Sequence, residues 1–189
     1  MLDVDVKQYR ETEYDIDSIF LERWSPRSFS TEEVEEDVLM SVFDAARWAP
    51  SANNMQPWRF IIARTKEDRE RFYPFIKEGN RLWCEKAPVL VLIISDTEDA
   101  SHAFDTGAAW GFLSLQAKKK GLITHAMTGF YKDKAREVLN IPEKFDIQAL
   151  VAIGYQDRKE LLPEQLQERE KPSPREPLST FLYEGTFQK

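Results

Sequence analysis

The residues best suited to bind a charged ligand lie near the start of the chain, in the segment R-W-S-P-R-S-F that begins at Arg23. The proline keeps the residue before it extended, and in an extended chain Arg23, Ser25 and Arg27 point to the same side. Two guanidinium groups around one hydroxyl suit a dianionic phosphate. The alternative is that the arginines pair with carboxylates such as those of Glu22 or Glu32, and the segment alone slightly favours that alternative.

Two further segments suit contact with a flat heterocycle. The first, over 49–58, reads A-P-S-A-N-N-M-Q-P-W, in which small residues permit close approach and spaced amides offer donors and acceptors to an imide edge. The second, over 127–130, contains Gly129, which lets backbone approach a planar ring. Taken singly, the first is equally typical of an asparagine-rich turn, and the second is better explained as a strand-to-helix turn.

Hydrophobic periodicity predicts the elements that must position these segments. The predicted strands cover 58–63, 89–94, 122–128 and 149–155. The predicted helices cover 14–21, 66–77, 102–120 and 132–139. One further helix is expected to begin at the capping-box pair Ser30 and Glu33 and to end near Ala49. Helices and strands mix without a strict βαβ rhythm, so the fold class is α+β or α/β.

Two features are unusual for a monomer. Gly107 and Gly111 lie four residues apart inside the predicted long helix, where each glycine costs about 1 kcal/mol relative to alanine, so another backbone is expected to pack closely there. Residues 156–177 are charged and proline-rich, whereas the chain after them is apolar again. We therefore predict a single domain over 1–189 with an extended C-terminal arm over 156–189, which docks on its own body or on a partner.

Composition excludes several functions. Lys plus Arg is 26 and Asp plus Glu is 33, a net charge of −7, which argues against a nucleic-acid binder. The single cysteine, Cys84, permits no internal disulfide or multi-thiolate metal site and is expected to be a packed hydrophobe. There is no phosphate-binding glycine motif, no metalloprotease or serine-hydrolase motif, and no apolar run of membrane-spanning length. The acidic N-terminus is unlike a leader, so a cytoplasmic protein without metal is expected, whose chemistry an organic cofactor carries.

In this order and spacing, the segments closely resemble the nitroreductase family of flavin mononucleotide (FMN) oxidoreductases, from about residue 19 to residue 183. The matching motifs are R-x-S-x-R-x-F at 23–29, A-P-S-x-x-N-x-Q-P-W-R-F at 49–60, a glycine–alanine helix at 107–116, G-L at 121–122, G-F at 129–130, and a strand and a basic residue before P-L at 149–178. The resemblance implies an α+β fold, a three-layer αβα sandwich with a mostly antiparallel central sheet and a C-terminal segment exchanged in a homodimer.

The resemblance also implies the residues that bind FMN. They are Arg23, Trp24, Ser25, Arg27, Pro50, Ser51, Ala52, Asn54, Gln56, Thr128, Gly129 and Arg175. The arginines and the serine at 23–27, with Arg175, would hold the ribityl phosphate. Residues 50–56 would line the isoalloxazine from the other subunit, and Thr128 and Gly129 would lie near its N5 side. Many family members carry Glu-Gly or Gly-Gly at that last point, and Thr128 departs from them.

The family's usual mechanism is implied as well. NADH or NADPH gives a hydride to flavin N5 and leaves, and a nitroaromatic, quinone or similar flat acceptor takes its place in a ping-pong reaction. No side chain is nominated as a catalytic acid, because the protein's role is orientation and electrostatics. Candidates for an aromatic wall beside the substrate are Trp83, Phe104 and Trp110, and the alternative is that these side chains belong to the core, where aromatic residues more often lie. Alternatives within the same fold are a specialised reaction, such as dehalogenation or flavin fragmentation, and flavin storage with little turnover.

Overall fold

A four-stranded antiparallel sheet forms the centre of the computed structural model, which describes residues 5–187. Its strands are β1 (Trp58–Ala63), β2 (Val89–Asp96), β3 (Ile123–Met127) and β4 (Phe145–Gly154). They pair in the order β1-β2-β4-β3, so β2 and β4 are central and β1 and β3 form the two opposite edges. The predicted domain and arm extend beyond the described residues at 1–4 and 188–189.

Helices cover both faces of this sheet. They are α1 (Ile19–Glu22), α2 (Glu36–Arg47), α3 (Lys66–Phe72), α4 (Glu78–Cys84), α5 (His102–Lys119), α6 (Lys132–Val138) and α7 (Glu164–Gln167). On one face, α2 and α5 pack against the side of β2 that carries Val91. On the other face, α3, α4 and α6 pack against the side that carries Leu92. The predicted α+β class with three layers is therefore confirmed, and β2 is buried on both faces as its composition predicted.

The structure corrects three of the predicted elements. The capping box at Ser30 is not formed, because the backbone N–H of Ser30 donates to the carbonyl of Tyr155 at 2.9 Å in an extended segment and the helix begins only at Glu36. The predicted helix over 66–77 ends at Phe72, and Pro74 lies in a 3-10 turn after it. A proline there cannot donate the hydrogen bond that would continue the helix. The predicted first helix shortens from 14–21 to the single turn α1.

Two further differences concern elements that the sequence pattern did not predict in full. Helix α4 was not predicted, since its seven residues are too few to show a clear helical period. Strand β4 begins at Phe145, four residues before the predicted start, because the preceding residues continue to pair with β2 past an irregularity at Ile93 and Ile94. Within residues 5–187, no helix is long and apolar enough to cross a membrane.

Candidate cofactor site

The segment 23–28, called the phosphate segment below, runs beside the edge strand β3. A guanidinium N–H of Arg23 donates to the hydroxyl of Ser25 at 3.3 Å. Neither Glu22 nor Glu32 pairs with Arg23. Among the described residues, Arg23 has no ion pair, and Glu22 pairs with Lys118 instead. Of the predicted residues in this segment, Arg23 and Ser25 are half-buried and Trp24 is buried.

A third guanidinium, which the sequence analysis missed, lies behind this segment. Arg10 is 8% exposed and donates to the carbonyl oxygens of Leu21, Arg23 and Ser173 at 2.6, 2.8 and 3.0 Å. These bonds join the N-terminal segment, the phosphate segment and the C-terminal arm. No spacing signal could have predicted the role of Arg10, because its partners lie up to 163 residues away in the sequence.

Three guanidinium groups repel one another at this point. Burial and the neighbouring Arg175 lower the pKa values of both Arg10 and Arg23, and Arg23 also lowers that of Arg10. Among residues 5–187, none of these three arginines has a carboxylate within 4.0 Å. In a chain of net charge −7, an uncompensated cluster of donors is well matched to an anion such as a phosphate monoester. A cavity of about 760 Å³ opens beside Arg10 and Arg175.

Arg27 turns away from this cluster. Its guanidinium lies 3.9 Å from the carboxylate of Glu170 in the C-terminal arm. Burial lowers the pKa of Arg27, the nearby Arg169 lowers it further, and Glu170 opposes the shift. The structure thus separates the two arginines of the predicted motif. Arg23 faces Arg10 and Arg175, whereas Arg27 faces a carboxylate, as the alternative proposed, although that carboxylate belongs to Glu170.

His125 supports the phosphate segment from β3. Burial lowers the pKa of His125 to about 4, so the ring is neutral at pH 7 and its Nδ1–H donates to the carbonyl of Pro26 at 2.9 Å. The ring packs against Trp83 with a centroid separation of 4.4 Å, and Trp83 in turn stacks on Phe29. Trp83 is 2% exposed in the core, so the prediction that it lines a substrate face is wrong.

The ring segment, residues 50–56, lies at the opposite end of the sheet order, directly before β1. Asn53, Asn54 and Gln56 all have positive φ, at 50°, 57° and 48°, a conformation that asparagine tolerates better than most residues. The backbone N–H of Gln56 donates to the hydroxyl of Ser51 at 3.1 Å. Pro50, Asn54 and Gln56 are exposed, and Ser51 and Ala52 are half-exposed.

Asp105 anchors the ring segment from α5. Its carboxylate is 4% exposed and accepts a hydrogen bond from the backbone N–H of Ala52 at 2.9 Å. Nδ1 of His102, on the same helix, lies 2.7 Å from the hydroxyl of Ser95. The anchor was missed because its two members are 53 residues apart. Beside it, Phe104 is 84% exposed on the first turn of α5, whereas Trp110 packs against the core.

Thr128 and Gly129 follow the end of β3. Thr128 is exposed. The carbonyl of Gly129 accepts hydrogen bonds from the backbone N–H of Lys77 and from the side-chain amide of Asn80, both at 3.1 Å. A Cβ at Gly129 would lie 2.4 Å from that amide nitrogen. Close approach of Asn80 therefore explains the glycine, without any ligand.

We expect Gly129→Ala to lower the free energy of unfolding by about 1 kcal/mol, because the new methyl group displaces Asn80 and breaks its hydrogen bond. In an Asn80→Ala background the same substitution should cost clearly less, since the clash is gone. Urea unfolding of the two single variants and the double variant measures both values. Equal costs in the two backgrounds would contradict the steric explanation.

Cys84 has no chemical role in this arrangement. It is fully buried in the core, and burial raises the pKa of its thiol to about 12. A thiolate, which is the nucleophilic form, is therefore not formed at neutral pH. Within residues 5–187, no group of three or more potential ligands among His, Cys, Asp and Glu is placed to hold a metal ion.

The predicted site is divided between the two edges of the sheet. The phosphate segment and Thr128 adjoin β3, and the ring segment adjoins β1. Two strands lie between those edges, a separation of about 14 Å for three inter-strand spacings. Within one chain, the phosphate segment and the ring segment therefore adjoin opposite edges of the sheet.

Comparison with known proteins identifies the family of this α+β chain. A family model described as the nitroreductase family matches residues 21–82 and 76–155. The chain belongs to the nitroreductase family. A curated relative from Thermus thermophilus, named NADH dehydrogenase, is 29% identical over 175 residues, which cover 71% of this chain and 83% of the relative.

Solved structures agree with that assignment. One described as an oxidoreductase containing FMN superposes with a TM-score of 0.91 at 43% identity, covering 95% of this chain and 96% of the other. Iodotyrosine deiodinase, bound to FMN and 3-iodo-L-tyrosine, superposes with a TM-score of 0.70 at 22% identity, covering 90% and 98%, and at that identity it shows the shared fold alone. These names agree with the flavin oxidoreductase chemistry that the sequence motifs implied.

Proposed function

We propose that the protein is a homodimeric FMN-dependent oxidoreductase that uses NADH or NADPH to reduce nitroaromatics, quinones or similar flat acceptors. The observation that carries the proposal is the uncompensated cluster of Arg10, Arg23 and Arg175 in an acidic chain. Its relative at 43% identity, described as containing FMN, supports flavin as the ligand. Membership of the nitroreductase family supports the reaction class.

The donor set fits the phosphate end of FMN. Arg23 and Arg175 would donate to the phosphate oxygens, with the hydroxyl of Ser25 beside them. Arg10 holds the carbonyl of Arg23 and adds positive charge behind that residue. Because no acidic partner within residues 5–187 pairs with these groups, a phosphate dianion would relieve their mutual repulsion on binding.

The ring segment would hold the flavin ring. Asp105 and the hydroxyl of Ser51 fix its backbone, which leaves Ala52 and the amide of Asn54 at an accessible surface. When bound, the flavin would supply the redox chemistry, namely hydride uptake from a nicotinamide and reduction of the acceptor. The chain's own contribution is to orient ring and substrate and to exclude water. His125 and Cys84 lie away from the ring segment and serve packing, so neither is nominated as a proton donor there.

A second copy would complete each site, because each chain presents its two half-sites at opposite sheet edges. The outer face of α5 supports this assembly. Gly107 and Gly111 have no atom within 4 Å of an added Cβ, and Phe104 on the same face is 84% exposed. The C-terminal end supports it too, since Phe181 and Leu182 are 59% and 63% exposed and would be covered if the arm docked on the partner.

An anaerobic titration of the purified protein with NADH and, separately, NADPH tests the function. We expect a yellow protein whose visible flavin absorbance bleaches rapidly with at least one donor and returns on addition of a nitroaromatic or a quinone. A yellow protein that resists both donors would contradict the reductase and favour flavin storage or a specialised reaction. A colourless protein that gains no flavin from added FMN would contradict the cofactor as well.

A further inference from the structure

We infer that Glu170 is a positioning residue for the phosphate segment and couples the docking of the C-terminal arm to the binding of a phosphate monoester. The inference deepens the proposed function and rests on it, because it takes the phosphate of FMN to be the anion received by this segment. Glu170 contacts the backbone of the phosphate segment and the Arg27 side chain, so its effect on the ligand is transmitted through that backbone and through the stretch of the arm that carries Arg175.

The geometry is that of an internal anion held by the phosphate segment. Oε1 of Glu170 accepts hydrogen bonds from the consecutive backbone N–H groups of Arg27 and Ser28, at 2.7 and 2.9 Å. The side chain of Glu170 is 2% exposed, and its Oε2 has no hydrogen-bond partner. The nearest cation is the Arg27 guanidinium, 3.9 Å from Oε2.

A buried carboxylate that is only half satisfied is costly, and burial raises the pKa of Glu170 despite the two N–H donors and Arg27. The carboxylate contributes something that an apolar group cannot: it accepts hydrogen bonds from two successive amides and so fixes the backbone of the phosphate segment next to Ser25. Other charged or titratable groups near Arg27 are Arg169 in the arm and His125 on β3.

The arm meets the same site at two more points. The carbonyl of Ser173 accepts the hydrogen bond from Nε of Arg10, and Arg175 belongs to the guanidinium cluster. Glu170, Ser173 and Arg175 therefore tie one short stretch of the arm to the phosphate segment. Because all three contacts involve that stretch, displacing Glu170 should also displace the cation that Arg175 supplies to the anion.

The test compares FMN with riboflavin, which lacks the phosphate, on the full-length protein. For Glu170→Gln we expect FMN to bind about 10-fold more weakly or worse, because charge-assisted bonds to the segment are lost. Riboflavin affinity should stay within about two-fold, since the ring segment is untouched. Glu168→Gln, an exposed change of the same chemistry in the same arm, is the matched control and should leave both affinities unchanged. Glu170→Ala should behave as Glu170→Gln, and if it does not fold, the glutamine variant decides.

A pH series adds a readout that a purely structural role would not change. Acid protonates Glu170 in the wild type, whereas glutamine has no charge to lose. The ratio of the FMN dissociation constant of the variant to that of the wild type should therefore fall towards one as the pH is lowered from neutral to mildly acidic. The ionisation of the FMN phosphate is common to both proteins and cancels in that ratio.

Several results would overturn the inference. They are an unchanged or tighter FMN affinity in Glu170→Gln, an equal loss of FMN and riboflavin affinity, and a ratio that does not vary with pH. A wild-type protein that binds neither FMN nor riboflavin would instead contradict the proposed function. The two failures are therefore distinguishable.

Discussion

Arg23→Glu is expected to weaken FMN binding by roughly 100-fold or more, since each charge-assisted hydrogen bond contributes about 1.5–3 kcal/mol and the new carboxylate repels the phosphate. The flavin-free chain should be no less stable than the wild type. Burial and the charge of Arg175 lower the pKa values of both Arg10 and Arg23, and the charge of Arg23 lowers that of Arg10 further, so a glutamate in place of Arg23 would relieve the repulsion among the guanidinium groups. FMN titration and thermal unfolding measure the two effects.

The prediction is specific because the substitution should weaken FMN binding without lowering the stability of the flavin-free chain. Arg71→Glu is the matched control, because the Arg71 side chain is 69% exposed on α3 and its one ion pair among the described residues, with Asp68, is long at 4.0 Å. This control substitution should leave flavin affinity unchanged. Unaltered FMN affinity in Arg23→Glu would remove the phosphate assignment. Loss of flavin together with loss of folding would show that Arg23 serves the fold instead.

Gly111→Arg should convert the protein into a folded monomer that retains no FMN. Nothing lies within 4 Å of a Cβ at Gly111 in the single chain, so the chain accommodates the side chain, and replacing a helical glycine contributes up to about 1 kcal/mol to helix stability. The same side chain would separate two copies packed through this face of α5. Sedimentation measures the mass, and the visible spectrum of the same sample reports the flavin.

Gly111→Ala separates helix propensity from packing between copies. It should raise the stability of the isolated chain in the same direction as Gly111→Arg, yet weaken dimerisation far less because only a methyl group is added. A dimeric, yellow Gly111→Arg protein would contradict the role of α5 in assembly. A monomeric protein that keeps FMN would contradict the shared site.

Local periodicity was sufficient to predict much of the sheet and the long helix. The uninterrupted apolar run of β2 can only be buried on both faces, and the stretch from His102 to Lys119 is a helix as its length and caps indicated. The start of α2 was wrong because Ser30 has a stronger use: its backbone pairs with Tyr155. That pairing is a tertiary contact, which a capping-box spacing cannot reveal.

The site was predictable only where its residues are neighbours in sequence. The arginines of the phosphate segment and the amides of the ring segment form compact motifs, and the structure places them at two accessible surfaces. The residues that support these segments are distant in sequence. Arg10 bonds to carbonyl groups 13 and 163 residues away, as well as to one nearer carbonyl. Asp105 bonds to an amide 53 residues away, and Glu170 bonds to amides 142 and 143 residues away. A single acidic or basic residue in a charged chain carries no spacing signal, so only the folded structure shows these roles.

Mixing two defective variants tests the shared flavin site most directly. Arg23→Glu disables the phosphate half-site, and Ala52→Glu disables the ring half-site; each alone should bind FMN poorly. In a mixed dimer, the intact phosphate segment of one chain faces the intact ring segment of the other, so one of the two sites is restored. After dissociation and statistical reassociation, flavin occupancy should rise to about a quarter of all sites. If the mixture stays as colourless as its components while mixed dimers are present, the site does not lie between two copies.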